Sequence, residues 1–301
     1  MVGETGALRQ DGAVHPSHDP RAVGPASVAE LVAVAEEVAR AAGALVHDGR
    51  PENLGVAATK SSAVDVVTAM DLASEELVRR TLARLRPDDA VLGEEGGHLA
   101  GSSGVTWVVD PIDGTVNYLY GLPAYAVSVA AVVGEPTPAT WTVLAACVHA
   151  PATRETWTAG RGRGAFLDGR RLELRPAPPL ERCLLATGFG YVAERRRAQA
   201  RVLAALLPQV RDVRRMGAAA VDLCQVATGR LDLYYERGLQ PWDLAAASLV
   251  VAEAGGVVTG LRGSPAGDAM TVAGATERVA DLVALLEELG ADAPDTPAAS
   301  G

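Results

Sequence analysis

The chain has 301 residues, 49% of them hydrophobic, enough to bury one large core or two modest ones, and it carries a net charge of −10. That charge argues against a nucleic-acid partner, whose docking surface is basic, and the run Arg195-Arg196-Arg197 reads as a solvated helix face. Cys147, Cys183 and Cys224 lie far apart without CxxC spacing, so a disulfide framework or zinc site is not expected, and no stretch approaches the roughly 20 uninterrupted apolar residues of a membrane span. With no basic patch and apolar run at its start, the chain reads as cytoplasmic.

Residues 1–26 and 291–301 are rich in Gly, Pro, Ser, Asp and Ala without periodicity and are expected to be mobile tails around a domain at 27–290. Ser27 with Glu30 forms a capping-box signature, and Val28, Leu31, Val34, Ala35, Val38 and Leu45 recur at helical spacing until Gly49. After a loop carrying Lys60, the residues Val64, Val66 and Val67 suggest a short strand, and Thr68 opens a helix running to about Arg86. Ala90-Val91-Leu92 leads into Gly93-Glu94-Glu95-Gly96-Gly97, and Val105 to Val109 reads as a buried strand that Pro111 and Gly114 break.

Strands at about 124–133, 139–149 and 153–159 favour an antiparallel sheet, so the domain is expected to divide into an antiparallel half at 27–150 and an α/β half at 151–290. Asp168-Gly169 signals a hairpin. Beyond it, helices at about 194–207, 217–228, 241–255 and 275–289 alternate with strands at 183–187, 231–236 and 257–260.

Chemistry concentrates at Asp110-Pro111-Ile112-Asp113-Gly114-Thr115. Two carboxylates on one tight turn suit a hard divalent cation such as Mg²⁺, and the N–H groups of Gly114 and Thr115 suit an anion, of which phosphate is the expected one. Each acid also has a plainer reading: Asp-Pro and Asp-Gly form turns, Glu94 and Glu95 suit a solvated turn, Asp71 completes a capping box with Thr68, Asp65 caps a loop, and Asp243 sits at a helix start. What the plainer readings leave unexplained is the gathering of acids at element ends beside Gly, Pro or Thr, where open α/β architectures bind ligands.

Glu94-Glu95, Trp107 to Asn117, Trp242-Asp243 and Glu253-Ala254-Gly255-Gly256 resemble, in order and spacing, the signature blocks of the inositol monophosphatase family. Lys60 to Asp65, Val67-Thr68 and Asp71 resemble its mobile metal loop. Gly217 to Ala220, Tyr234-Tyr235-Glu236 and Thr187 to Tyr191 resemble its substrate-side segments.

The resemblance implies a layered αβαβα sandwich and Mg²⁺-dependent hydrolysis of a small phosphate monoester by a cation-activated water, with lithium sensitivity and a homodimer. It implies that Glu94, Asp110 and the Ile112 carbonyl hold one Mg²⁺, that Asp110, Asp113 and Asp243 hold a second, and that a weaker third ion shares Glu94. Thr115 and Asp71, with Glu94, would serve catalysis. Asp113, Gly114, Thr115, Ala219 and Glu236 would contact a phosphorylated polyol. Ala218 stands where many relatives have Ser or Thr, and Tyr118 and Tyr120 replace a Phe and a basic residue of some animal relatives. Histidinol phosphate is the rival substrate. A regulatory protein of the same fold that recruits a transcription or RNA partner is the rival of another class, with Arg195 to Arg197, Arg211, Arg214 and Arg215 as the only candidate basic stripe.

Overall fold

The long apolar runs of the chain's first half lack clean alternation because helices cover both faces of the sheet they build. The computed structural model describes residues 25–60 and 66–293, so the expected N-terminal tail up to residue 24, Val64 and Asp65 lie outside the described residues. In chain order the elements are α1 (Pro25–Asp48), β1 (Val56–Thr59), β2 (Val66–Thr68), α2 (Ala69–Leu85), β3 (Ala90–Gly93), β4 (Gly97–Leu99), β5 (Val105–Asp113), α3 (Thr115–Tyr120), β6 (Ala126–Val133), β7 (Thr142–Ala150), β8 (Glu155–Gly160), β9 (Gly164–Leu167) and β10 (Arg170–Arg171). Then follow β11 (Leu184–Thr187), α4 (Ala193–Leu206), β12 (Asp212–Arg214), α5 (Ala219–Ala227), β13 (Leu233–Glu236), α6 (Pro241–Glu253), β14 (Val257–Thr259), β15 (Thr271–Gly274) and α7 (Thr276–Glu288).

An eight-stranded sheet has the order β10-β9-β8-β7-β6-β5-β3-β4, and a five-stranded sheet the order β12-β11-β13-β15-β14. On β6, Val127, Val129 and Ala131 face a core shared with Leu31, Val38 and Ala42 of α1 and Val78 and Leu82 of α2. Their neighbours Ala126, Ala130 and Val132 face α5 and α6, through Leu223, Leu249 and Val250. The same inner helices back onto Tyr234 and Ala273 of the second sheet, whose far face meets Leu206 of α4 and Leu282 and Leu286 of α7. The result is the expected five-layer αβαβα sandwich. Short side chains such as Ala245, Ala246 and Ala247, all buried, let the middle helices approach both sheets.

Several features depart from the sequence reading: α1 begins at Pro25, ahead of the expected Ser27 cap, and β12 is not among the expected strands. Strand β5 does not stop at Pro111: it pairs with β6 through Asp113, with one extra residue between Asp110↔Ser128 and Asp113↔Ala126. Proline is tolerated at such a bulge because no ladder N–H is required of it. The first sheet also continues beyond residue 150 to Arg171, so the change of sheet falls between β10 and β11; within the first sheet β3 and β5 run parallel. Finally β15, which the sequence does not announce, lies inside the second sheet between β13 and β14. At the C-terminal end Ala291 is buried with α7, and residues 294–301 lie outside the described residues.

Candidate metal and phosphate site

The bulge in β5 turns two carboxylates toward one cavity. Asp110 Oδ1 accepts from the Ile112 N–H at 3.0 Å, and Asp113 projects across to the start of α5, where its two oxygens accept from the N–H groups of Ala219 (3.1 Å) and Ala220 (2.7 Å). A carboxylate there satisfies N–H groups that the helix itself leaves unpaired. Asp243 arrives from the start of α6, where Pro241 occupies the first turn and Asp243 Oδ2 accepts from Gln240 N–H at 2.7 Å. Among the described residues, Asp110, Asp113 and Asp243 each offer a ligand oxygen, and these oxygens lie within 4.8 Å of one another.

Glu94 joins this cluster from the β3–β4 turn, close enough to Asp110 for the two carboxyl groups to hydrogen-bond. Burial, then repulsion from Glu94, Asp113 and Asp243, pushes Asp110 well above the usual carboxylate range. Burial raises Asp243 in the same way and Asp113 to about 7, the latter against the pull of its two N–H donors. Such a group of buried acids is costly unless protons or a cation neutralise it, and all-oxygen donors suit a hard divalent ion. The residues present therefore fit Mg²⁺.

Asp71 caps its helix and also meets Thr115. Its Oδ2 accepts from Thr68 N–H at 2.8 Å and from the Thr68 hydroxyl at 2.5 Å, closing the capping box of α2, while Oδ1 accepts from the Thr115 hydroxyl at 3.0 Å. The Thr115 hydroxyl is also 3.0 Å from the Ile112 carbonyl oxygen, so one proton serves two acceptors. Burial raises the Asp71 pKa, against the bonds from Thr68 and Thr115.

The cavity, of about 440 Å³, is lined by Glu94, Asp110, Ile112, Asp113, Gly114, Thr115, Ala219, Glu236 and Asp243, so the sequence candidates converge there, with Asp71 just behind Thr115. Ala219 contributes less than expected of it, since its N–H is given to Asp113. Glu236, at the end of β13, accepts from the Tyr234 hydroxyl at 2.6 Å, and burial raises its pKa to about 7.

Several residues that the sequence reading named only within longer segments, with no role at the site, belong to it. Lys60 Nζ donates to Glu94 at 2.6 Å and Glu95 at 2.7 Å; burial opposes its charge, yet the two carboxylates hold its pKa above normal. The available signal was compositional, because Lys60 is the chain's single lysine among 27 basic residues. Gly188 has no room for a Cβ beside the Glu236 carboxylate, and Arg215 lines the same wall. The supposed basic stripe is interrupted by ion pairs: Arg195 with Asp268, Arg197 with Glu194, and Arg214 with Asp212.

Comparisons with known proteins identify the family. The model of the inositol monophosphatase family matches residues 27–291. Inositol-1-monophosphatase SuhB of Mycobacterium tuberculosis is 45% identical over 278 residues, covering 86% of this chain and 94% of that protein. The protein named Nus factor SuhB from Xylella fastidiosa is 42% identical over 234 residues, covering 76% and 82%. The crystal structure of the extragenic suppressor protein SuhB from Bartonella henselae superposes with a TM-score of 0.78 at 34% identity, covering 85% of this chain and 98% of that one. The Mycobacterium tuberculosis SuhB structure gives 0.73 at 43%, covering 87% and 98%. With a family model spanning nearly all the described chain and the acids of its signature blocks gathered in one cavity, the chain belongs to the inositol monophosphatase family.

Proposed function

We propose that the chain is a Mg²⁺-dependent phosphomonoesterase that hydrolyses myo-inositol monophosphate to inositol and phosphate. The observation that carries this reading is the cluster of Asp110, Asp113 and Asp243, the first two buried and the third half-buried, lining a cavity that Glu236 also lines. Glu94, Asp110 and the Ile112 carbonyl would hold one ion, Asp110, Asp113 and Asp243 a second, and Glu94 a share of a third. When bound, the ions supply Lewis-acid stabilisation of the phosphate oxygens and acidify the attacking water.

The remaining steps belong to side chains. Thr115 is set to take a proton from the water as it passes its own to Asp71, a relay that the 3.0 Å bond prepares and the raised Asp71 pKa favours. Gly114 and Thr115 present backbone N–H groups to the phosphate. Tyr234 occupies one oxygen of Glu236, leaving the other to accept a hydroxyl of the polyol.

Phosphate release from myo-inositol 1-phosphate and from histidinol phosphate, each with Mg²⁺ and with EDTA, tests the reading. Mg²⁺-dependent release favouring the inositol ester is expected; preference for histidinol phosphate reassigns the substrate. Lithium inhibition, a homodimer and a cytoplasmic site of action form part of the same proposal, and light scattering giving one chain's mass would remove the dimer. A second reading comes from relatives named Nus factor SuhB, such as the Xylella fastidiosa protein. It predicts a partner complex that survives moderate salt while phosphate release is absent.

A further inference from the structure

The Gly-Glu-Glu-Gly turn that carries Glu94 is built around a carboxylate from another element. Glu75 of α2 is buried beneath it, with Oε2 accepting from Glu95 N–H at 2.8 Å and Oε1 from Gly96 N–H at 2.8 Å. Arg79, one turn further along the helix, donates Nε to the same Oε1 at 2.8 Å and Nη2 to the Gly97 carbonyl at 2.6 Å. The charge of Glu75 is thus neutralised in place, and both of its oxygens are engaged.

The glycines on either side of the acids are explained by this carboxylate. A Cβ on Gly96 would lie 2.6 Å from Glu75 Oε1 and 2.8 Å from Arg79 Nη2, and a Cβ on Gly93 would fall inside the same carboxylate. Neither residue has positive φ, so the requirement is space and not backbone conformation. Ser74 and Glu75 are three and four residues beyond Asp71, so both lie on its face of α2. Ser74 donates to the Pro111 carbonyl at 3.1 Å, and Asp71 accepts from Thr115. One helix face therefore ties down the Glu94 turn, the β5 bulge and Thr115 separately.

Resting on the Mg²⁺-site reading above, we propose that Glu75 is a positioning residue that aims Glu94 at the cation by clamping the backbone of the next two residues. The clamp acts through the main chain and takes up no atom of the Glu94 side chain, which meets Lys60 and Asp110 instead.

The test is a calorimetric titration of Mg²⁺ into the EDTA-stripped full-length chain, beside the Mg²⁺ dependence of phosphate release, for wild type, Glu75→Gln and Gly96→Ala. Both variants should bind Mg²⁺ roughly 10–100-fold more weakly, with kcat recovering at saturating Mg²⁺. Gly96→Ala keeps Glu75 and its charge and only crowds the cradle, so it decides the matter if Glu75→Gln does not fold. Mg²⁺ binding within about twofold of wild type in the folded variants, in place of that loss, overturns the clamp even if their melting temperatures fall. A wild-type chain that binds Mg²⁺ but releases no phosphate defeats the phosphatase reading and leaves the clamp standing. A wild-type chain that binds no Mg²⁺ defeats both.

Discussion

Asp110 is the residue on which the cation reading turns, because it faces Glu94, Asp113 and Asp243 together. Asp110→Asn keeps volume and loses charge, so phosphate release should fall by roughly 10²–10³-fold while circular dichroism is unchanged; near-normal turnover would sink the assignment. Asp222 of α5 offers a separate reading of buried charge. It is buried, one of its oxygens has no hydrogen-bond partner among the described residues, and burial followed by repulsion from Glu236 and Asp113 raises its pKa to about 8. The folded chain thus keeps a proton that the unfolded chain releases near its ordinary pKa of about 4. The neutral acid's contribution to stability is complete below about pH 4 and is lost progressively as pH rises toward about 8. Asp222→Asn should consequently match the wild type in urea denaturation of the metal-free protein at low pH and exceed it increasingly up to pH 8. A constant difference across that range would refute the linkage.

Elements show why some of this molecule was legible in its sequence and some was not. The helices α2, α6 and α7 are dense in apolar residues, α2 and α6 have capping boxes as well, and their observed ends lie within two residues of the expected ones. The Asp168-Gly169 turn is equally direct, with both residues at positive φ between β9 and β10. In contrast β15, Thr-Val-Ala-Gly, is too short and too small in side chain to stand out, although pairing on both edges buries it fully. Pro111 misled because a proline in a strand reads as an ending until the partner strand reveals a bulge. Site acids were legible because each belongs to a local motif. Glu75 was not, since its partners lie 20 and 21 residues away and only the fold joins them. At this scale the middle helices should fail by packing alone: Leu249→Ala in α6, buried between the sheets, should cost about 2–5 kcal/mol in urea unfolding. Its Mg²⁺ requirement should stay at the wild-type value where the variant is folded, and a shifted requirement would mean that α6 transmits strain to Asp243.

Across the whole molecule, the site joins layers of the fold: Asp110 and Asp113 come from the first sheet, Asp243 from a middle helix, and Asp113 bonds to the start of the other middle helix. A cation that binds only the folded chain should therefore stabilise it throughout, by about 2.7 kcal/mol at a hundredfold excess over Kd. Calorimetry with Mg²⁺ and after EDTA should show a single transition that moves to higher temperature with the ion; an unmoved transition would speak against any built cation site. The same acidic pocket has a practical consequence through Lys60. Apart from its α-amino group, the chain offers amine-directed reagents one target, and Glu94 and Glu95 hold that target as an ammonium ion, the unreactive form. Acylation by an N-hydroxysuccinimide ester, followed on the Lys60 peptide by mass spectrometry, thus becomes a covalent clock whose speed records whether those two glutamates still hold the amine.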